Sequence, residues 1–335
     1  MVDLMGKKFY FFGLSIIIII AGVVGLIVNG LQLDIQFQGG TIIELPITTN
    51  QLKDLYKGDS MDSIKNKVIE RSQKITTDTV NKIATAQLST TYNSDNSSQD
   101  LQIITIKIAN KQGSLKDADL SKLTDKLKAE FKLPDSTLVG QKNVDPSIGK
   151  ELLSNGLQAI LWSSLIIIIY IWWRFKVMSG PSAGVMAVLA MIHDAMIMLA
   201  VYAIFKIPVN ESFIAAVLTI LGYSMNDTII IYDRIRENSN QLRRMPIGEL
   251  VNRSIIQTLN RSINTIVTVL ICLISMLAFS LYYNITSITD FVLPLIVGIV
   301  SGCYSSIFVA SPLWIIWKES RQKKNIKAKR KPARA

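Results

Sequence analysis

Asp227 and Arg261 are ionisable residues inside long apolar stretches, Asp227 in GYSMNDTIIIYDRIREN at 222–238 and Arg261 in LNRSINT at 259–265. A charge in hydrocarbon is costly and is kept only with a partner or a task. Asp227 precedes Asp233 by six residues, hence lies roughly 9 Å deep if the stretch is helical. If the next stretch becomes helical near Arg253 or Ser254, Arg261 reaches a similar depth. An acid and a base at one depth on consecutive antiparallel helices can pair. Pairing would lower the acid's proton affinity, and release would raise it. That is the chemistry of a switchable proton carrier. A static structural pair is the alternative, and the residues alone leave both open. Asn226, Thr228, Asn264 and Thr265 supply hydrogen bonds nearby under either. His193 and Asp194 form a second polar cluster. Adjacent helix positions diverge by about 100°, so the two do not share a face and one of them is expected to face the bundle or a partner; a polar clasp between helices is favoured over a proton-pathway role for Asp194.

Other chemistry is sparse. No G-x-x-x-x-G-K-[ST], G-x-G-x-x-G or G-x-S-x-G occurs, which removes the common phosphate, dinucleotide and serine-hydrolase signatures. The single histidine cannot build a multi-histidine metal site. No enzyme activity, cofactor or metal is therefore expected. Cys272 and Cys303 read as small apolar core residues. Gly298-x-x-x-Gly302 allows close approach of a neighbouring helix.

Membrane helices are the elements that must hold these residues. Of 335 residues, 49% are hydrophobic and only 18% charged, against about a quarter charged in soluble domains. Long apolar runs occupy 9–28, 152–173, 183–205, 213–232, 263–281 and 291–317. Each is long enough to cross a hydrocarbon core of about 30 Å as a helix, and in lipid every backbone polar group must be satisfied internally. The first run lacks a small-residue cleavage site and reads as an uncleaved span.

Loop charge sets the orientation. The chain has 36 Lys+Arg against 25 Asp+Glu, and the excess is concentrated. Lys7 and Lys8 precede the first span. Arg174 and Lys176 follow the second. Arg234, Arg236, Arg243, Arg244 and Arg253 surround the turn after the fourth. Nine basic residues from Lys318 to Arg334 form the tail. Basic short loops stay in the cytoplasm, which puts both termini inside. Trp172, Trp173, Trp314 and Trp317 are expected at the inner interface. The positive charge is thus a topology signal, with no nucleic-acid partner implied; a contact between the tail and anionic lipid or a ribosome is the lesser alternative.

Residues 29–150 lie outside and carry 16 Lys+Arg and 15 Asp+Glu. They read as strand 33–45 interrupted at Gly39-Gly40, helix 59–71 with Met61, Ile64 and Val68 on one face, strands 80–88 and 101–108, helix 114–131, and strand 136–143. Polar residues 92–100 form the turn between the middle strands. The order β-α-β-β-α-β is the ferredoxin-like motif. The expected organisation is a cytoplasmic N-terminus and first span at 1–28, a periplasmic ferredoxin-like domain at 29–150, spans two to six at 151–317, and a basic cytoplasmic tail at 318–335.

GYSMNDTIIIYDRIREN at 222–238 resembles the fourth-helix motif of the SecD/SecF family of bacterial protein-export membrane proteins, on its SecF side. VNRSIIQTLNRSINT at 251–265, FQGGTIIEL at 37–45 and PSIGKELLSNGL at 146–157 are similar to the family's other motifs, with Gly39, Gly40, Pro146, Gly149 and Gly222 at motif positions. Gln36 and Asp145 depart from the family's usual Asp and Gly. The resemblance implies an accessory subunit of the Sec translocase in the bacterial inner membrane. Within the proton-driven RND superfamily, it would act with a SecD subunit on the SecYEG channel, using proton-motive force to promote export of unfolded polypeptides. YajC and YidC are possible further partners. It implies proton-pathway roles for Asp227 and Arg261, and a lesser one for Asp194. Half of an RND-type small-molecule transporter is the alternative, set against by an outer segment too small for a porter domain; an uncoupled membrane scaffold is the third reading.

Overall fold

The computed structural model describes residues 4–82, 84–91, 101–110, 113–174, 180–242, 244–283 and 285–329. The expected turn at 92–100, together with Lys176, Arg243, Arg330, Lys331 and Arg334, lies outside them. Among the described residues, six helices are long and apolar enough to cross a membrane. They are α1 (Lys8–Asn29), α6 (Pro146–Arg174), α7 (Gly180–Phe205), α8 (Glu211–Gln241), α9 (Ile247–Tyr283) and a sixth broken span. The sixth runs as α10 (Thr286–Ser305), a π turn (Ser306–Ala310) and α11 (Ser311–Lys329). The chain is thus a multi-pass membrane protein with a small α/β domain at one end, here called the outer end.

Between α1 and α6 lie α2 (Ile35–Gln38), β1 (Gly40–Thr48), α3 (Thr49–Leu55), α4 (Met61–Val80), β2 (Ala84–Thr91), β3 (Leu101–Ala109), α5 (Asp117–Glu130) and β4 (Gly140–Val144). The sheet order is β2-β3-β1-β4 with every neighbour antiparallel, the ferredoxin-like arrangement. Alternation decides which face is core: Ile104, Ile106 and Ile108 of β3 and Ile43, Leu45 and Ile47 of β1 are buried with Val68, Leu123 and Leu127 of the helices. Three local expectations are corrected. Residues 35–38 form helix instead of strand, because the Asp34 carboxylate accepts from the Ile35 N–H and caps it. Helix α4 runs on to Val80, closed by Asn81 in the left-handed region at φ 52°. Met61 stays exposed while Ser72 and Thr76 complete the buried stripe of α4.

Two glycines make the joint between domain and bundle. Gly39 has φ +81°, and a Cβ there would fall 2.6 Å from Pro146 Cγ; a Cβ at Gly149 would fall 2.7 Å from the Phe37 carbonyl oxygen. Only hydrogen fits at such distances. The two family departures have local roles. Asp145 caps α6, accepting from the Ser147 N–H at 2.8 Å and its hydroxyl at 2.7 Å. Gln36 donates to Glu211 Oε1 at 3.1 Å, tying α2 to the start of α8.

Inside the bundle, α8 and α10 are the most enclosed helices. A Cβ at Gly298 would meet Ile220 at 2.4 Å and one at Gly302 would meet Ser224 Cβ at 2.9 Å, the close approach expected of this Gly pair. Trp314 is fully buried against Tyr232 and under the Lys318 ammonium. Cys303 is half-buried against the core of the bundle, whereas Cys272 is exposed and not the core residue expected.

Candidate functional site

Two buried carboxylates occupy the centre of the bundle. Asp194 of α7 is fully buried. Three serine hydroxyls donate to it: Ser224 of α8 to Oδ2 at 2.7 Å, and Ser301 and Ser305 of α10 to Oδ1 at 2.7 Å and Oδ2 at 2.8 Å. Ser301 and Ser305 are four residues apart and share one helix face. His193 Nδ1 lies 3.3 Å from Oδ1, and its Nε2 lies 3.1 Å from Ser15 Oγ of α1. Ser15 meets Tyr304 Oη at 3.2 Å, and that phenol donates to the Phe11 carbonyl at 2.6 Å. A carboxylate offers about four lone-pair positions, and hydroxyls and imidazole occupy them. Such charge-assisted bonds offset the cost of burial. The cluster joins α1, α7, α8 and α10, and both His193 and Asp194 are buried in it, where only one of the two was expected to face the bundle.

Asp227 sits three residues beyond Ser224 on α8 and is 2% exposed. Its neighbour Thr228 shares a hydrogen bond with Ser306 Oγ at 2.9 Å, and Ser306 donates to the Ser224 carbonyl at 3.1 Å. The π turn begins at Ser306. π turns are rare and gather at functional positions; this one sets its hydroxyl against α8 between the two acids. On α9, the groups acting on the Asp227 carboxylate are Ser262 and Arg261. Ser262 Oγ is buried and has no hydrogen bond of normal geometry.

Asp227 and Arg261 are level but not paired. Each stands fourteen residues from the turn joining α8 to α9. Helix α9 starts at Ile247, earlier than the Arg253 or Ser254 expected, and α8 ends correspondingly late. Among the described residues no ion pair joins them; Arg261 projects outward and is exposed, with Ser262 taking the inward position. Of the supporting polar residues, Thr228 is buried, Thr265 donates back to the Arg261 carbonyl at 2.9 Å, and Asn226 and Asn264 are exposed. Gly222 faces open space.

The outward small and polar residues are ordered. On α9, Arg261, Asn264, Thr268, Cys272 and Ser275 are exposed, and on α8, Ala215, Thr219, Gly222 and Asn226. Both sets step by three or four residues, so each is one stripe along its helix. Sequence reasoning missed these stripes and the serine shell of Asp194. The signal was the spacing of Ser301, Gly302, Ser305 and Ser306 in an otherwise apolar helix, with Ser224 three residues before Asp227. Among the described residues, no group of three or more His, Cys, Asp or Glu side chains is placed to hold a metal ion.

Comparison with known proteins places this geometry in a family. Residues 123–320 match the model of the protein export membrane protein SecD/SecF, C-terminal. The chain is 33% identical over 342 residues to protein translocase subunit SecF of Anaerolinea thermophila, covering all of both chains. It is 31% identical to protein translocase subunit SecDF of Bacillus subtilis, over 96% of this chain and 39% of that one. The crystal structure of SecDF, a translocon-associated membrane protein from Thermus thermophilus, superposes with a TM-score of 0.69 at 29% identity. The match covers 95% of this chain and 39% of the other.

Proposed function

We propose, because the chain belongs to the SecD/SecF protein-export family, that it is the SecF-type subunit of a protein translocase and, with a SecD-like subunit, couples proton-motive force to polypeptide export. Its setting is the bacterial inner membrane, with both termini cytoplasmic and the α/β domain periplasmic, as the loop charges favour. The 1–28, 29–150, 151–317 and 318–335 division follows from that topology.

The observation that carries the reading is the outward polar face beside a buried acid. An exposed arginine and two exposed asparagines at membrane depth are unfavourable against lipid, whereas small and polar stripes suit helix–helix contact. A second membrane subunit laid on α8 and α9 would cover Arg261, Asn264, Asn226 and Gly222 next to Asp227. The relatives named SecDF, of which this chain spans about two-fifths, support a SecD-like chain as that subunit. SecYEG, with YajC and YidC as auxiliaries, completes the assembly that the resemblance implies. Asp227 would exchange a proton as its distance to Arg261 changes. The work would be transport, with no bond made or broken in the substrate.

The test is reconstitution. The chain with its SecD-like partner and the channel in vesicles should export polypeptide faster when a proton gradient is imposed, and removal of the partner should abolish the increment. A gradient effect on small-molecule efflux with none on polypeptide export would favour the transporter reading instead. No gradient effect on either would favour a scaffold.

A further inference from the structure

The outer domain and the bundle meet at a charged junction that the coupling site does not include. Lys107 lies on β3, on the face opposite Ile104, Ile106 and Ile108. Its ammonium donates to Asp34 Oδ2 at 2.9 Å, with the two side chains only 20% and 7% exposed. Asp34 belongs to the linker leaving α1. Its other oxygen caps α2, and its backbone N–H donates to the Val209 carbonyl at 2.9 Å. The Val209 N–H donates in turn to the Gln32 carbonyl at 2.8 Å. Residues 32–34 are thereby zipped to the loop between α7 and α8. The next residue, Asn210, caps α8 through its Oδ1 and donates through Nδ2 to Asp290 of α10 at 3.3 Å. Asp290 in turn lies within electrostatic reach of Lys107 and Asp34.

The Lys107 ammonium of the outer domain is thus paired with Asp34 of the linker, and a chain of hydrogen bonds through Val209 and Asn210 leads on to Asp290 of α10. Asp290 sits near the outer end of α10, and Asp34 is tied through Val209 to the loop that starts α8; α8 bears Ser224 and Asp227, and α10 bears Ser301 and Ser305. A shift of α8 against α10 at the centre must move Asn210 against Asp290 at the end, because a hydrogen-bonded helix transmits displacement along its axis. Lys107 then feels a changed balance between Asp34 and Asp290.

We propose that Lys107 is a positioning residue that fixes the outer domain on the bundle and passes the relative movement of α8 and α10 to it. The inference rests on the export reading above, and it adds a residue remote from the proton site to the machinery. Lys107→Met keeps the length of the stem and removes the charge; Lys107→Arg keeps the charge. Removing a partly buried ion pair is expected to shift the docked-to-undocked ratio of the outer domain by about fivefold.

The experiment uses the full chain with its partner, with Cys272 and Cys303 replaced by alanine and spin labels at Ser121 of α5 and Tyr282 of α9. Lys107→Met is expected to broaden the label–label distance distribution and to lose most of the gradient-dependent increment in export, while Lys107→Arg keeps a narrow distribution and the increment. A narrow distribution or a full increment in Lys107→Met overturns the inference. The unsubstituted chain with its partner is run alongside: no gradient-dependent increment in export there would instead remove the export reading itself, so the two failures are distinct.

Discussion

Asp227 and Arg261 stand level on adjacent helices, one enclosed by the bundle and the other turned out of it. Ser262 fills the inward position on α9 between them, its hydroxyl buried and without a normal hydrogen bond. This is an arrangement with the pair open. Closing it needs α9 to rotate or Arg261 to swing along the outer surface, where a partner helix would lie. Under the proposed function, the buried acid would be controlled from the subunit interface.

Arg261→Lys should lower the gradient-dependent export rate by about tenfold or more while leaving assembly intact, since an ammonium does not reproduce the planar guanidinium fork. Rates in vesicles with and without a gradient check this; a lysine variant at the full rate would mean that only the charge is used.

Gly222→Leu should weaken association with the SecD-like partner without unfolding this chain. A Cβ at 222 would have no other heavy atom within 4 Å beyond its own stretch of helix, and glycine is the poorer helix former by about 1 kcal/mol, so the isolated subunit should lose no stability. Copurification yield and thermal unfolding in detergent are the two readouts. Equal loss in both would place Gly222 in the fold and not at the interface.

Ser305→Ala should cost about 1–3 kcal/mol, the range for leaving a buried hydrogen-bonding group short of a partner. Ser305 donates to Asp194 Oδ2 at 2.8 Å in a site closed to water. Ser320→Ala, an exposed serine bonded only to its own helix, is the control and should change stability little.

The cap on α6 should depend on pH. Hydrogen bonds from the Ser147 hydroxyl and then from its backbone N–H hold the Asp145 carboxyl below its ordinary value. A depressed carboxylate stabilises the fold above its unfolded value, and the contribution disappears as pH falls through the lowered folded value. Amide exchange at Ser147 should therefore rise in that acid window and stay unchanged from there to neutral pH in excess of the intrinsic rate. Asp145→Asn should flatten the acid response.

The six spans, the ferredoxin-like order and the place of Asp227 inside the bundle were legible because each rests on a strong local signal: run length, alternation, or a charge in hydrocarbon. Residues 35–38 were not, since Asp34 as a cap outweighs the alternating pattern in a four-residue segment. The serine shell of Asp194 was not, because serine in a membrane helix usually bonds its own backbone, as Ser163 and Ser275 do. Only the packing of α8 on α10 through Gly302 brings three hydroxyls to one carboxylate. The outward turn of Arg261 was hidden for a related reason. Depth follows from sequence position, but facing depends on where α9 begins, and it begins earlier than its charged residues suggested.

Asp227→Asn tests the central claim most directly. Asparagine keeps the size and the hydrogen bonding but cannot carry a proton on and off. In vesicles containing the channel, the SecD-like partner and this chain, the variant should assemble normally and export at the rate seen without a gradient, whatever gradient is imposed. An Asp227→Asn chain that retains the full gradient-dependent rate would contradict the account, leaving Asp227 structural and Asp194 the next carboxylate to test.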